Sequence, residues 1–233
     1  NKLLAQKASK ICVAYDGMEK FFPKEKIVLT GNPCRQDLII SDKNRKEGYM
    51  HFQLNSQKKT ILMLGGSLGA ATLNKSIVDA FPKLNAAEDV QVIWQCGKYT
   101  HMNIMQSEGK IPANIYLTDF ISRMDYAYSV ADLIISRAGA GSISEFSILG
   151  KPVILVPSPN VAEDHQTMNA KALVDKDAAV MEPDIKAKDM LFDVALALVK
   201  NESELKSLSD NILKLAQHNS ADRIVDEIEK ILM

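Results

Sequence analysis

The chain has 233 residues, 46% of them hydrophobic and 24% charged, the profile of an ordinary globular protein large enough to bury a sizeable core. Its 28 basic and 29 acidic side chains leave a net charge of -1, which argues against a nucleic-acid partner, since that would favour a clustered basic excess. The three cysteines, Cys12, Cys34 and Cys96, carry neither a disulfide framework nor a zinc spacing and fit a reducing cytosol; no apolar run approaches the roughly 18 residues of a membrane span, and no signal peptide is read.

In chain order, Asn1–Lys10 has a helical pattern. Because it opens on Asn rather than Met, the chain is expected to be cut from something longer, although processing would look the same. Ile11–Tyr15 and Ile27–Thr30 are strand-like but belong to no complete βαβ series, and charge-rich Ser41–Tyr49 reads as a solvated helix or linker. From residue 60 onward short apolar runs alternate with amphipathic stretches. The runs Thr60–Leu64, Val90–Trp94, Ile115–Leu117, Leu133–Ile135, Val153–Val156 and Ala178–Met181 are predicted strands. Between them Ala70–Leu84, Tyr99–Glu108, Met124–Ala131, Ser142–Leu149 and Asp164–Asp175 are predicted helices. Ala187–Val199, Ser203–Gln217 and Ala221–Met233 close the chain as helix. Continuous apolar strands separated by helices imply an α/β fold: a Rossmann-like, doubly wound, parallel six-stranded sheet. Ligands in such sheets bind beyond the carboxyl ends of the strands, so the loops after each strand are the ones to search.

Gly65-Gly66-Ser67-Leu68-Gly69 follows the first strand of the series and opens a helix. Free N–H groups and the positive end of a helix dipole suit a phosphate, Ser67 could add a hydroxyl donor, and neither G-x-G-x-x-G nor the P-loop signature is present; a plain βα turn fits as well. In Ser136–Glu145, Ser142 and Glu145 have capping-box spacing, while Glu145 beside a glycine-rich turn could instead accept a ribose diol. The proline-marked loop Pro157–Gln166 ends in Asp164, a plausible N-cap, with His165, Gln166 and Asn169 able to meet sugar hydroxyls or simply solvent. Phe120, Ile121 and Met124 could form an apolar slot for a flat base, or be core. Arg35, beyond the turn Thr30-Gly31-Asn32-Pro33, is a surface residue or a phosphate clamp.

These segments, in this order and spacing, resemble the MurG family: Thr30-Gly31-Asn32-Pro33, Gly65-Gly66-Ser67, Ser136–Ser142 with Glu145, and Asp164-His165-Gln166-Thr167 with Asn169-Ala170. The resemblance covers essentially the whole chain. It implies the carboxy-terminal, UDP-N-acetylglucosamine-binding domain of a GT-B glycosyltransferase with a remnant of the amino-terminal one. Residues 1–34 would be that remnant and the linker, 35–218 the donor domain, and 219–233 a helix returning toward the first domain. It further implies that Arg35 and Ser67 meet the diphosphate with Gly65, Gly66 and Gly69 in the phosphate loop. Ile121 would contact uracil through its backbone, with Phe120 and Met124 packing around it. Glu145 would hold the ribose hydroxyls, and Gln166 with His165 would read N-acetylglucosamine. Leu68 and His165 stand where the family often has Gln, and Ser122-Arg123 replaces an acidic pair.

The reaction so implied is inverting transfer of N-acetylglucosamine from UDP to lipid I, forming lipid II, in peptidoglycan synthesis. It uses no cofactor and no metal bound at the site. The acceptor loops and the general base would lie in the amino-terminal domain, which binds lipid I at the cytoplasmic face of the bacterial inner membrane as a peripheral protein. The chain alone would be soluble and inactive. A rival reading is a nucleotide-sugar-binding module that needs a partner acceptor domain. Another is a related GT-B protein such as a UDP-N-acetylglucosamine epimerase, against which Thr30–Pro33 argues.

Overall fold

The fold was obtained as a computed structural model, which describes residues 2–35, 38–66, 68–107, 111–161 and 164–232. In chain order its elements are α1 (Lys2–Ala5), β1 (Ile11–Val13), β2 (Ile27–Leu29), α2 (Asp42–His51), β3 (Lys59–Leu64), α3 (Ala71–Asp79), α4 (Phe81–Ala86), β4 (Val90–Gln95), α5 (Lys98–Ser107) and β5 (Ile115–Thr118). They continue with α6 (Met124–Val130), β6 (Leu133–Ser136), α7 (Ala140–Leu149), β7 (Val153–Leu155), α8 (His165–Val174), β8 (Val180–Met181), α9 (Asp184–Leu198), α10 (Glu202–Leu213) and α11 (Ser220–Leu232).

Strands β3 to β8 form the six-stranded sheet, every pair parallel, in the order β5-β4-β3-β6-β7-β8. Alternate side chains of each strand enter opposite cores, as the period of two requires. Ile61, Met63, Val92 and Trp94 pack on one face with Leu73 and Ile77 of α3 and Leu191 and Phe192 of α9. Leu62, Ile93, Ile134 and Leu155 pack on the other with Tyr128, Phe146 and Leu173. Both faces are covered, which is why the strands read as unbroken apolar runs rather than as alternation.

Three sequence expectations are corrected or narrowed. The single helix over 70–84 is two, broken at Ala80, because Pro82 stands at the start of α4. A proline there donates no N–H, and its ring would meet the carbonyl one turn back. Of the two readings of Ser41–Tyr49, solvated helix or linker, the helix holds: α2 buries only Gly48, Ser41 caps it, its hydroxyl accepting from Asn44 N at 3.1 Å, and it lies against α6. Gly48 permits the approach, since a Cβ there would stand 2.7 Å from Val130 Cγ1. Phe52, just past its end, is 2% exposed. Asp164 occupies the N-cap position of α8 but makes no capping bond; its carboxylate accepts instead from Thr167 Oγ1 at 2.6 Å.

The amino-terminal segment pairs with itself. β1 and β2 are parallel in a separate two-stranded sheet, Ile11 opposite Ile27. It is tied to the main domain where Tyr15 OH donates to Ala140 O at 3.1 Å and Asn32 Nδ2 donates to Ser144 Oγ at 3.0 Å. Arg223 of α11 donates to the Leu29 carbonyl. Gly31, at φ +84, passes so close to the start of α11 that a Cβ would collide with Gln217 and Ser220.

Candidate functional site

Strand order creates the site. The chain runs outward from β3 through β4 to β5, then returns to the other side of β3 with β6. The loops after β3 and β6 therefore diverge and leave a crevice at the carboxyl end of the sheet. A cleft of about 380 Å³ fills it, lined by Leu64, Gly65 and Gly66 on one side and Ser136, Arg137 and Gly139 on the other. That volume falls in the range of about 300–1,000 Å³ usual for small-molecule sites. A cavity of about 410 Å³ beside α1 and β1 carries few polar side chains and none of the expected site residues.

Of those expected residues, the cleft gathers Arg35, Gly65, Gly66, Phe120, Ile121, Met124 and Glu145. Ile121 is 5% exposed and belongs to the core, whereas Phe120 is 65% exposed at the cleft margin. The loop thus places one buried side chain, Ile121, beside an exposed one, Phe120, at the cleft. Ser67 lies outside the described residues. Gly69 does not line the cleft: at φ +82 it closes the turn, its N–H donating to Gly66 O at 3.0 Å, and it packs against the Cys96 carbonyl.

The capping-box reading of Ser142 and Glu145 is overturned. Helix α7 begins two residues earlier, with Gly139 at its N-cap and no side-chain cap, so Glu145 stands in the second turn. Its carboxylate turns to the cleft. Oε2 accepts from Tyr128 OH at 2.7 Å, and Oε1 lies 3.9 Å from Arg35 Nε. Burial first, then the Glu145 charge, push the Tyr128 hydroxyl pKa up, so it stays a donor. Burial and the same charge push the Cys34 thiol up.

His165 and Gln166 open α8, outside the cleft wall. Gln166 Oε1 accepts from Ala138 N at 3.2 Å and from Ser158 N at 2.9 Å, and Asn169 Nδ2 donates to Ala138 O at 3.0 Å. The first turn of α8 thus fixes the loop after β6.

Three cleft residues had been given no role from the sequence, although Arg137 stands inside the Ser136–Ser142 motif. Tyr128 was hidden within a predicted helix. Arg137 donates to the Val156 and Pro157 carbonyls and pairs with Asp184, which also accepts from Thr72 Oγ1 at 3.0 Å. Gln95 ends β4 and bonds both the glycine turn and the loop after β5. The available signal was a polar residue closing an otherwise apolar strand, as at Gln95 and Ser136. The free N–H groups expected of the glycine loop are partly used: Gly65 N donates to Gln95 O at 2.9 Å and Gly66 N to Gln95 Oε1 at 3.0 Å. Arg123, where an acidic residue was noted as the family alternative, pairs with Asp125 at 2.6 Å and lies over the Tyr126 ring.

Several known proteins are similar to this chain. One from Parabacteroides distasonis, named as a UDP-N-acetylglucosamine--N-acetylmuramyl-(pentapeptide) pyrophosphoryl-undecaprenol N-acetylglucosamine transferase, is 59% identical over 100% of this chain and 63% of its own length. A protein of the same name from Flavobacterium psychrophilum is 49% identical over 100% of the chain and 62% of its own length. The chain thus spans less than two thirds of the curated relatives it matches. The crystal structure of Acinetobacter baumannii MurG superposes with a TM-score of 0.76 at 31% identity, covering 98% of this chain and 63% of that one. Residues 60–227, the span that holds the whole six-stranded sheet but the first residue of β3, match the glycosyltransferase family 28 C-terminal domain, and the chain belongs to that family.

Proposed function

We propose that the chain is the donor-binding half of an inverting glycosyltransferase that moves N-acetylglucosamine from UDP-N-acetylglucosamine to lipid I, giving lipid II. The observation that carries this reading is the single cleft at the switch point, where an apolar slot, a carboxylate and an arginine converge. Phe120 and Met124 suit the faces of uracil, with backbone groups of Ile121 at its edge. Glu145 suits the ribose diol, because an ionised carboxylate accepts two hydroxyls. Arg35, Ser67 and the start of α3 suit the diphosphate. Gln166, whose Oε1 is already engaged, would offer its amide N–H groups to the sugar beside His165. The names of those relatives agree with this donor and acceptor.

In this reading residues 1–34 form the tail of an acceptor domain and the linker, 35–218 the donor domain, and 219–233 a helix packing toward the acceptor domain. The exposure of Val225, Ile228 and Ile231, each 50%, and of Leu232, 81%, supports a further partner for that helix. The acceptor 4-hydroxyl oxygen attacks the anomeric carbon while the bond to the diphosphate breaks. Its proton passes to a base of the acceptor domain, and the charge developing on UDP is met by Arg35 and the helix ends. No helix among the described residues is long and apolar enough to cross a membrane, in keeping with peripheral attachment through the acceptor domain.

Calorimetry tests the donor: UDP and UDP-N-acetylglucosamine are expected to bind and NAD not to, and tighter binding of NAD would sink the assignment. Transfer to a lipid I analogue is expected only when the separately expressed amino-terminal domain is added. Turnover at the rate of the intact enzyme without it would show that the catalytic groups have been misplaced.

A further inference from the structure

We infer that Gln95 is a positioning residue: it holds the glycine turn after β3 and the loop after β5 at one fixed separation, and so sets the spacing between the diphosphate and uracil ends of the cleft. This rests on the nucleotide reading above. Gln95 is the last residue of β4, flanked at this end of the sheet by β3 and β5. It is 5% exposed. Its Oε1 accepts from Gly66 N at 3.0 Å, while Nε2 donates to Gly66 O at 2.9 Å and to Asp119 O at 2.8 Å. Gly66, at φ +75, turns both its N–H and its carbonyl to this one amide, and Asp119 immediately precedes Phe120 and Ile121.

The amide makes three bonds, two donated and one accepted, which together fix its orientation. No other residue type meets the demand. Glu accepts but, ionised, cannot donate; Met and Leu do neither; Lys donates but cannot accept; Asn is one methylene shorter. Backbone bonds between the strands reach one residue short of each loop, Gly65 N donating to Gln95 O at 2.9 Å and Cys96 N to Thr118 O at 3.0 Å, and the Gln95 side chain extends that hold to Gly66 and Asp119, beyond the ends of β3 and β5. A ligand that spans two subsites gains from both only if their spacing matches its own length. Gln95 touches neither the reacting atoms nor, in this reading, the nucleotide, and acts through the two loops that do.

The test uses Gln95→Met, which removes all three bonds at similar size, and Gln95→Glu, which keeps acceptance from Gly66 N–H and loses both donors. Melting establishes that each variant is folded. Calorimetry with UDP and ligand-observed NMR with uridine then give the ratio of their affinities. A general loosening of the domain weakens both ligands together and leaves the ratio unchanged. Loss of spacing removes the advantage of UDP over uridine, and we expect that ratio to fall at least about tenfold in both variants. Variants that bind UDP as the wild type does, or that weaken UDP and uridine in proportion, overturn the positioning role alone. A wild-type chain that binds no UDP overturns the nucleotide reading and this inference with it.

Discussion

Replacing Tyr128 by Phe removes one hydroxyl and tests which partner holds Glu145 in place. Two candidates compete. The Tyr128 hydroxyl donates to Oε2 at 2.7 Å from a residue 2% exposed, whereas Arg35 stands 3.9 Å from Oε1 with its side chain half exposed. A hydrogen bond to a charged group contributes about 1.5–3 kcal/mol. An ion pair this exposed contributes about 0–1 kcal/mol after solvent screening. The tyrosine therefore dominates. Because the Glu145 side chain is 20% exposed and water can replace the lost donor, the cost in Tyr128→Phe should fall near the lower limit. At about 1.5 kcal/mol, Tm should drop by roughly 3–6 °C for a domain of this size. If the same bond orients the carboxylate for ribose, UDP affinity should fall up to about tenfold, the equivalent of 1.4 kcal/mol. Arg35→Ala should change Tm by no more than about 4 °C and by less than Tyr128→Phe does, because its pair is screened. Differential scanning calorimetry and titration with UDP on both variants decide the matter. A Tyr128→Phe protein with wild-type Tm and affinity, beside an Arg35→Ala protein that melts markedly earlier, would refute the reasoning.

Glu145→Gln should weaken UDP binding while the fold survives: the amide oxygen can still accept from Tyr128, so the bond drops from charged to neutral strength, a loss of about 1 kcal/mol or roughly 2–4 °C in Tm; a variant with unchanged UDP affinity would reverse that. Lys151 is held by burial, its pKa pushed down to about 8, with Nζ donating to Ala131 O at 2.8 Å. A lysine whose folded pKa lies below its ordinary 10.5 carries a cost that is full below pH 8 and relieved as pH rises from 8 toward 10.5, where the unfolded chain binds more protons. The stability of Lys151→Met relative to wild type, from urea melts at pH 7 and pH 10, should accordingly fall between those two values; a constant difference would contradict the shift. Gly31→Ala places a Cβ against Gln217 and Ser220 at a positive φ, so it should loosen the junction with α11. Hydrogen exchange over residues 220–232 should speed up well before exchange in β3, and uniform exchange in both would count against a local effect.

The four inner strands were legible because each is buried on both faces and so reads as a continuous apolar run, Val90–Trp94 being the plainest case, while the half-buried edge strands β5 and β8 kept their place in the same rhythm. The break at Ala80 was equally available from Pro82 but was outweighed by the helical period around it. The solvated face of α2 was legible from its charged residues, but the contact that seats the helix on α6 was not, because it depends on Gly48 and on Phe52 beyond its end. The loops holding Gly65, Glu145 and Phe120 were identified from their places after strands, yet which of them would meet depended on strand order, which composition and period do not encode. Residues that act by bonding across that order, Gln95, Tyr128 and Arg137, were accordingly missed.

The central place of β3 has a consequence for folding. On one side it pairs with β4, close behind it in sequence, but on the other with β6, Ile61 opposite Leu133. During synthesis at roughly 5–20 residues per second, the 70 or so residues between β3 and β6 leave that edge without its partner for several seconds. Over that interval β3, β4 and β5 can close locally, whereas the β3–β6 seam is a non-local contact of the kind that slows folding. The nascent chain then presents Ile61, Leu62 and Met63 as an open apolar edge, a site at which two unfinished chains can pair. Aggregation during expression should therefore track the exposure of this one seam, and should fall when elongation past residue 133 is fast relative to encounters between chains.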